Sequence, residues 1–158
     1  MPKNRLSKEE SIDLFELKSP SDLFSEIQLA ICEYHENPNS RLFLFLVFSL
    51  THLAEWIAGS SYEFIKSKNE SGQELDQAES FVLDILTLEE FKIVKSLCNR
   101  SKHYLISQGN NTSISVGATC NSFCSDSLDQ TYYLIDGIDS RVIFASILRK
   151  YCSWFELS

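Results

Sequence analysis

Apolar side chains recur at helical spacing over most of this chain. After Ser19-Pro20-Ser21-Asp22, a turn-and-cap signal, Leu23, Phe24, Ile27, Ala30, Ile31 and Tyr34 predict a first helix that Asn37-Pro38-Asn39 ends. A second helix is expected from about Ser40 to Lys66. It contains the run 42–50, LFLFLVFSL, which is apolar nearly all round and marks the central, most buried element. The polar, glycine-containing stretch 67–74 reads as a loop, and Leu75 to Leu86 as a short amphipathic piece. Thr87-Leu88-Glu89-Glu90 then has the form of a capping box, opening a helix with Phe91, Val94, Leu97, Cys98, Ser101 and Leu105 on one face.

Beyond Ser107-Gln108-Gly109-Asn110-Asn111 the period changes from helix to strand. Thr112, Ile114 and Val116 alternate with small residues, and Thr131 to Ile135 is a second β-forming run stopped by Asp136-Gly137. Asp139-Ser140 caps a last helix with a stripe of Val142, Ile143, Ile147, Leu148, Tyr151, Trp154 and Phe155. The fold class expected is mainly α: a four- or five-helix up-and-down bundle with a small β-hairpin insert (112–137) before the C-terminal helix. One domain over 1–158 is expected, with residues 1–19 as an N-terminal arm. Ser7-x-x-Glu10 inside that arm also resembles a capping box.

Composition fits this picture and removes several alternatives. With 44% hydrophobic residues, five Gly and three Pro in 158, the chain is too apolar to be disordered. No secretory signal is read at the N-terminus. The run 42–50 is shorter than the roughly 20 apolar residues of a membrane span and is followed by His52 and Glu55, so no membrane partner is expected. Five scattered cysteines, Cys32, Cys98, Cys120, Cys124 and Cys152, suit a reducing cytoplasm better than a disulfide framework. The net charge of −8 argues against bulk DNA binding. It is not uniform, however: residues 91–125 hold Lys92, Lys95, Arg100 and Lys102 and no carboxylate, +4, which leaves −12 on the remainder. A basic helix of that kind suits RNA or another phosphate, and equally suits a solvated face paired with acidic helices.

The chemistry-bearing residues gather on two predicted helices. Ser49, His52, Glu55 and Trp56 form one stripe of the second, and Asn99 and His103 stand four apart on the fourth, flanked by Arg100 and Lys102. In a functional reading His103 is the general acid or base, since imidazole titrates near neutral pH. Asn99 orients it, and Arg100 with Lys102, Lys95 and Lys92 holds phosphate. In a structural reading His52, Glu55, Asn99 and His103 make a hydrogen-bond network that only fixes helix register. A third reading is a small-ligand or nucleotide pocket between those helices, lined by Phe45, Phe48, Trp56 and the polar stripe. Cys120-x-x-x-Cys124 lacks a second ligand pair, so neither metal nor other cofactor is expected. Trp154-Phe155 continues the apolar stripe and reads as core, or as a dimer seam if exposed.

The segment 97–104, Leu-Cys-Asn-Arg-Ser-Lys-His-Tyr, resembles the Asn-x-x-Lys-His-aromatic signature of uncharacterised bacterial helical proteins, and 53–56, Leu-Ala-Glu-Trp, is similar as well. Those proteins resemble distant members of the HEPN (higher eukaryote and prokaryote nucleotide-binding) superfamily. The resemblance covers roughly residues 40–106. It implies a cytosolic helical bundle, a homodimer, and RNA binding or metal-independent ribonuclease activity of a toxin–antitoxin or defence type, with an antitoxin or other protein as partner. The superfamily's active motif spaces its Arg and His more widely than Arg100 and His103, which have two residues between them. The carry-over is therefore limited to His103, Asn99 and Arg100. The alternative is a non-enzymatic interaction or structural module.

Overall fold

Side-chain oxygens set where the helices begin. In the computed structural model, which describes residues 14–103, 109–117, 126 and 128–157 (the side chains of His103 and Leu157 excepted), the Ser19 hydroxyl accepts from the Asp22 amide at 3.2 Å and opens α1 (Pro20–Glu36). Asn39 does the same for α2 (Ser40–Ala58), and Ser61 for α3 (Tyr62–Glu70). Asp76 and Glu79 form a reciprocal capping box at α4 (Gln77–Thr87), satisfying two otherwise orphaned amides. Next come α5 (Glu89–His103), strands β1 (Thr112–Val116), β2 (Thr131–Ile135) and β3 (Ile138–Asp139), and α6 (Ser140–Leu157). The protein is mainly helical, with a small antiparallel sheet before its C-terminal helix, as the periodicity predicted.

Three boundaries differ from that prediction. The expected helix 40–66 is two helices, because Gly59 adopts the left-handed conformation (φ 62°) that ends α2, and Ser61 restarts the chain as α3. The expected loop 67–74 is accordingly helical as far as Glu70. Thr87 opens no helix; its hydroxyl donates to the Asp84 carbonyl at 2.7 Å inside the last turn of α4. The hairpin also gains a third strand. Asp136 and Gly137, both at positive φ, make a two-residue turn that pairs Ile135 with Ile138 and gives the strand order β1-β2-β3. The Ser7-x-x-Glu10 reading, most of the N-terminal arm, Leu105, and Cys120 with Cys124 lie outside the described residues.

Helix α2 packs against α1, α4, α5 and α6. Leu46, Val47, Leu50, Leu53 and Ala54 are fully buried. With 19 residues and a mean hydropathy of 1.4, α2 has the length and composition of a membrane span; in this fold the other helices cover its middle, Leu46 to Ala54, while Leu44 and Phe45 near its start are exposed. Facing it are Ile27 and Tyr34 of α1, Val82 and Ile85 of α4, Phe91 and Val94 of α5, and Ile143, Ile147 and Tyr151 of α6. Phe144 joins that face of α6, whereas Val142, expected in the stripe, is turned outward and 48% exposed. Trp154 and Phe155 pack inward, against Phe81 and Phe24 at ring-centroid distances of 4.9 and 4.3 Å.

Three buried tyrosines are anchored by their hydroxyls. Tyr62 donates to the Thr51 carbonyl, Tyr151 to the Leu50 carbonyl at 2.6 Å, and Tyr34 shares a 2.7 Å bond with Ser140. Burial pushes all three phenols well above their ordinary pKa, so they stay neutral donors.

The sheet is fastened by one buried cation. Arg141, its side chain 1% exposed, forks onto Asp126 at 2.7 and 2.9 Å and onto Asp139 at 2.6 Å. It also reaches the His35 carbonyl at 3.3 Å, at the end of α1, and lies over the Tyr132 ring. Burial alone would lower the guanidinium pKa, but the two carboxylates outweigh it and raise the value, so Arg141 is always charged. Removing one member of such a buried set strands the others without a partner. Arg141→Met should therefore lower unfolding free energy by about 3–5 kcal/mol in urea titrations; a loss under about 1 kcal/mol would show that the ion pairs do not hold the sheet.

Acid stability has its own signature. The Ser19 hydroxyl holds the Asp22 carboxyl below its ordinary value, the Lys68 ammonium does so for Glu79, and the Asn110 amide for Asp136. A depressed folded pKa contributes stability above the unfolded value and loses it as pH falls through the folded one. Urea midpoints should thus be level above about pH 5 and drop below about pH 4, with a shallower acid limb in Glu79→Gln. Midpoints that rise on acidification would contradict this assignment.

Candidate functional site

The charge pattern of α5 follows from its own length and ends. Glu89 and Glu90 occupy its first turn and Lys102 its last, each where the helix dipole favours it. Between them the buried face carries Phe91, Val94, Leu97 and Cys98, and the opposite side carries Lys92, Ser96 and Asn99. Lys92, Lys95, Ser96, Asn99 and Arg100 line an open cleft of about 480 Å³, closed on its far side by Lys66 of α3 and Leu86 of α4. Four cations and two neutral polar side chains face the cleft, and among the described residues no carboxylate lines it.

Each cation is positioned differently. Lys92 forms a 2.5 Å ion pair with Glu89, both well exposed, a contact of small energetic weight. Lys95 extends over the Tyr62 ring with its ammonium 4.8 Å from the centroid, which orients it without neutralising it. Arg100 donates to the Asn110 carbonyl at 2.8 Å, and Asn110 and Asn111 in turn bind the Asp136 carboxylate at 2.5 and 2.7 Å. A guanidinium offers five N–H donors, so one bond to Asn110 leaves Arg100 able to hold an anion while it braces the sheet. Lys66 comes from α3, brought there by the break at Gly59.

Of the residues singled out in the sequence, Lys92, Lys95, Asn99 and Arg100 are brought together here. Lys102 is exposed in the last turn of α5 and does not line the cleft. His103 ends α5, four residues past Asn99; its side chain lies outside the described residues. None of the polar stripe of α2 lines the cleft. The His52 Nδ1 is 3.3 Å from Glu55 Oε2 with its side chain 46% exposed, and Glu55 Oε1 accepts from the Tyr62 amide at 3.2 Å, at the start of α3. Ser49 is buried, and its hydroxyl oxygen has no hydrogen-bond partner among the described residues. Among the described residues no hydrogen bond links His52 or Glu55 to Asn99, and the His103 side chain of the expected network lies outside them. Thr51 of α2 is a polar neighbour of the Cys98 thiol on α5, which burial holds above its ordinary pKa.

The residues expected to line a pocket between α2 and α5 are divided between two places. Phe48 and Trp56 pack against the core, and Phe45 lines a groove on the other side, with Leu29 and Arg41 between α1 and α2. Lys66, Ser96 and Leu86 were missed as site residues. The signal that could have found Lys66 was Gly59-Ser60-Ser61, a turn sequence that moves the lysine onto a separate helix. Among the described residues no group of three or more His, Cys, Asp or Glu side chains is placed to hold a metal. Comparison with protein-family models, curated proteins and solved structures gave no significant match.

Glu55 is assigned here as the anchor of α3, and with it of Tyr62 and Lys66. Glu55→Ala should cost about 1 kcal/mol, as loss of a helix cap does, while His52→Ala should leave the melting temperature within about 2 °C. Equal losses from both variants would restore a shared structural role for the pair.

Proposed function

We propose that the protein binds RNA through phosphate contacts in the α5 cleft. The observation that carries this reading is the convergence of Lys66, Lys92, Lys95 and Arg100 on one open cleft with no lining carboxylate among the described residues, in a chain of net charge −8. Four cations drawn onto one cleft repel one another, and a ligand phosphate relieves that repulsion. Asn99 and Ser96 add neutral donors and acceptors suited to a ribose hydroxyl or a base edge. An acidic surround disfavours long duplex DNA, which needs a broad basic face, more than a short single strand.

The HEPN resemblance extends the same reading to metal-independent RNA cleavage, with His103 moving the proton and Asn99 and Arg100 beside the scissile phosphate. Cleavage of this class needs a proton acceptor for the attacking 2′-hydroxyl and a donor for the leaving oxygen. A homodimer in the cytoplasm, opposed by an antitoxin or other protein, belongs to that extended reading.

Fluorescence anisotropy with a labelled single-stranded oligoribonucleotide tests the binding. Three or four neutralised phosphates predict a slope of log K against log salt of about −2 to −3. Replacing Lys92 and Lys95 together by Ala should flatten the slope by roughly 1 to 1.5 units. No binding at low salt, or binding indifferent to both lysines, would overturn the proposal. Incubation in EDTA then separates the two levels: His103→Ala should abolish any cleavage while leaving the salt slope unchanged.

A further inference from the structure

The outer edge of the sheet has a backbone register that points to a partner. At one end of β1 the Gly117 amide donates to the Gln130 carbonyl at 2.9 Å, and at the other the Asp136 amide donates to the Asn111 carbonyl at 2.7 Å. Hydrogen-bonded pairs alternate along an antiparallel ladder, so residues 111, 113, 115 and 117 aim their backbone groups at β2. Thr112, Ile114 and Val116 therefore aim theirs away from it. No described residue pairs with that edge, since β1 is terminal in the strand order.

The side chains of the same three residues share one face of the sheet. That face continues the apolar surface of Ile135 and Tyr133, and the Tyr133 ring stacks on Phe43 at 5.9 Å. It then runs past the helices into solvent, leaving Ile114 65% and Val116 71% exposed. Edge strands of soluble proteins are usually blunted by a charge, a proline or a bulge. Residues 109–117, GNNTSISVG, contain no charge and no proline, and every residue of β1 is in regular register with β2.

We infer that this edge pairs with β1 of a second copy of the chain, antiparallel about a two-fold axis at Ile114, giving a continuous six-stranded sheet. The register is self-complementary. With Ile114 opposite its own symmetry mate, Thr112 falls opposite Val116 of the other copy, and all three outward N–H and C=O groups on each strand find partners. Thr112 lies opposite a β-branched residue and Ile114 opposite an identical one, favourable cross-strand pairs on a shared apolar face. Charge selects the same partner. Two copies of net charge −8 repel wherever acidic surface meets acidic surface, and this uncharged strand brings them together without opposing like charges across the ladder. A five-residue strand buries less than a standard interface, so the dimer is reversible and concentration-dependent.

Sedimentation equilibrium on the whole chain, with amide hydrogen exchange by NMR, tests the inference. The wild type should pass from monomer to dimer as concentration rises, and the amides of Thr112, Ile114 and Val116 should slow with it. Those of Ser113, Ser115 and Gly117 should be slow at every concentration. Ile114→Lys places like charges opposite each other at the axis, and Ile114→Pro removes an outward N–H while sparing the bonds to β2. Both should lose the dimer and keep the wild-type circular dichroism spectrum. A wild type that stays monomeric, a dimer that persists in both variants, or outward amides that exchange fast at the highest concentration would each overturn it. The last readout needs no variant to fold.

Discussion

The architecture depends on covering one apolar helix. Nineteen residues of α2 carry only Arg41 and Glu55 as full charges, and Leu46, Val47, Leu50, Leu53 and Ala54 have no contact with water. Burying side chains of that size is worth about 1.5–3 kcal/mol each, which is what orders α1, α4, α5 and α6 around it. Hydrophobic burial is non-directional, though, and does not choose a register. Direction comes from Tyr62 and Tyr151, which donate from two different helices to the neighbouring carbonyls of Leu50 and Thr51. A buried phenol that misses its acceptor loses its hydration for nothing, so these bonds pin α3 and α6 to one position along α2.

From that frame the candidate cleft follows in two steps. Tyr62, held by Thr51 and packed on Phe91 at 6.3 Å, is also the ring beneath Lys95. One tyrosine thus joins the core to the site. Arg100 performs the second step by binding the Asn110 carbonyl, from which Asn110 and Asn111 pass to Asp136 at the β2–β3 turn. The sheet is then locked from the other side by Arg141. A buried arginine with two carboxylates is no guarantee of net stability, because desolvating the charges is costly. Its consequence is specificity: a planar fork holding Asp126, Asp139 and the end of α1 allows one placement of the sheet against the helices.

Much of this was legible in the sequence, and the boundary between what was and was not has physical causes. The helices, the change of period near residue 112 and the buried face of α5 follow from apolar spacing, which burial enforces directly. The caps at Ser19 and Asp139 follow from short polar side chains at helix starts; Asp139 accepts from the Arg141 amide at 2.9 Å. The break at Gly59 was obscured by continuous apolar spacing on both sides of it. Thr87 failed as a cap because a threonine hydroxyl can satisfy a carbonyl of the preceding turn as readily as an amide of the next. Periodicity grouped Ser49, His52 and Glu55 correctly on one side of α2, but the direction of that side depends on which helix packs where. The Arg141 set joins residues 15 apart to the end of a helix more than 100 residues earlier, and no local pattern carries such a contact.

The same distinction sharpens the electrostatics. A tally by sequence places Lys92, Lys95, Arg100 and Lys102 in one basic segment, but a helix spreads consecutive charges around its axis. Folding removes Lys102 from the group and adds Lys66 from 26 residues upstream of Lys92, so the number of cations is unchanged while their geometry is new. Clustering is what makes such a site matter. Isolated surface charges are screened within about 8–10 Å at physiological ionic strength, whereas cations on the walls of one cleft act on the same phosphate. Glu90 is turned away from the lysines by the helix pitch, whereas Glu89 lies one turn before Lys92 on the same face and pairs with it beside the cleft. On the proposed reading the acidic total of the chain adds selectivity, since polyanions reaching beyond the cleft would meet like charge and a short strand would not.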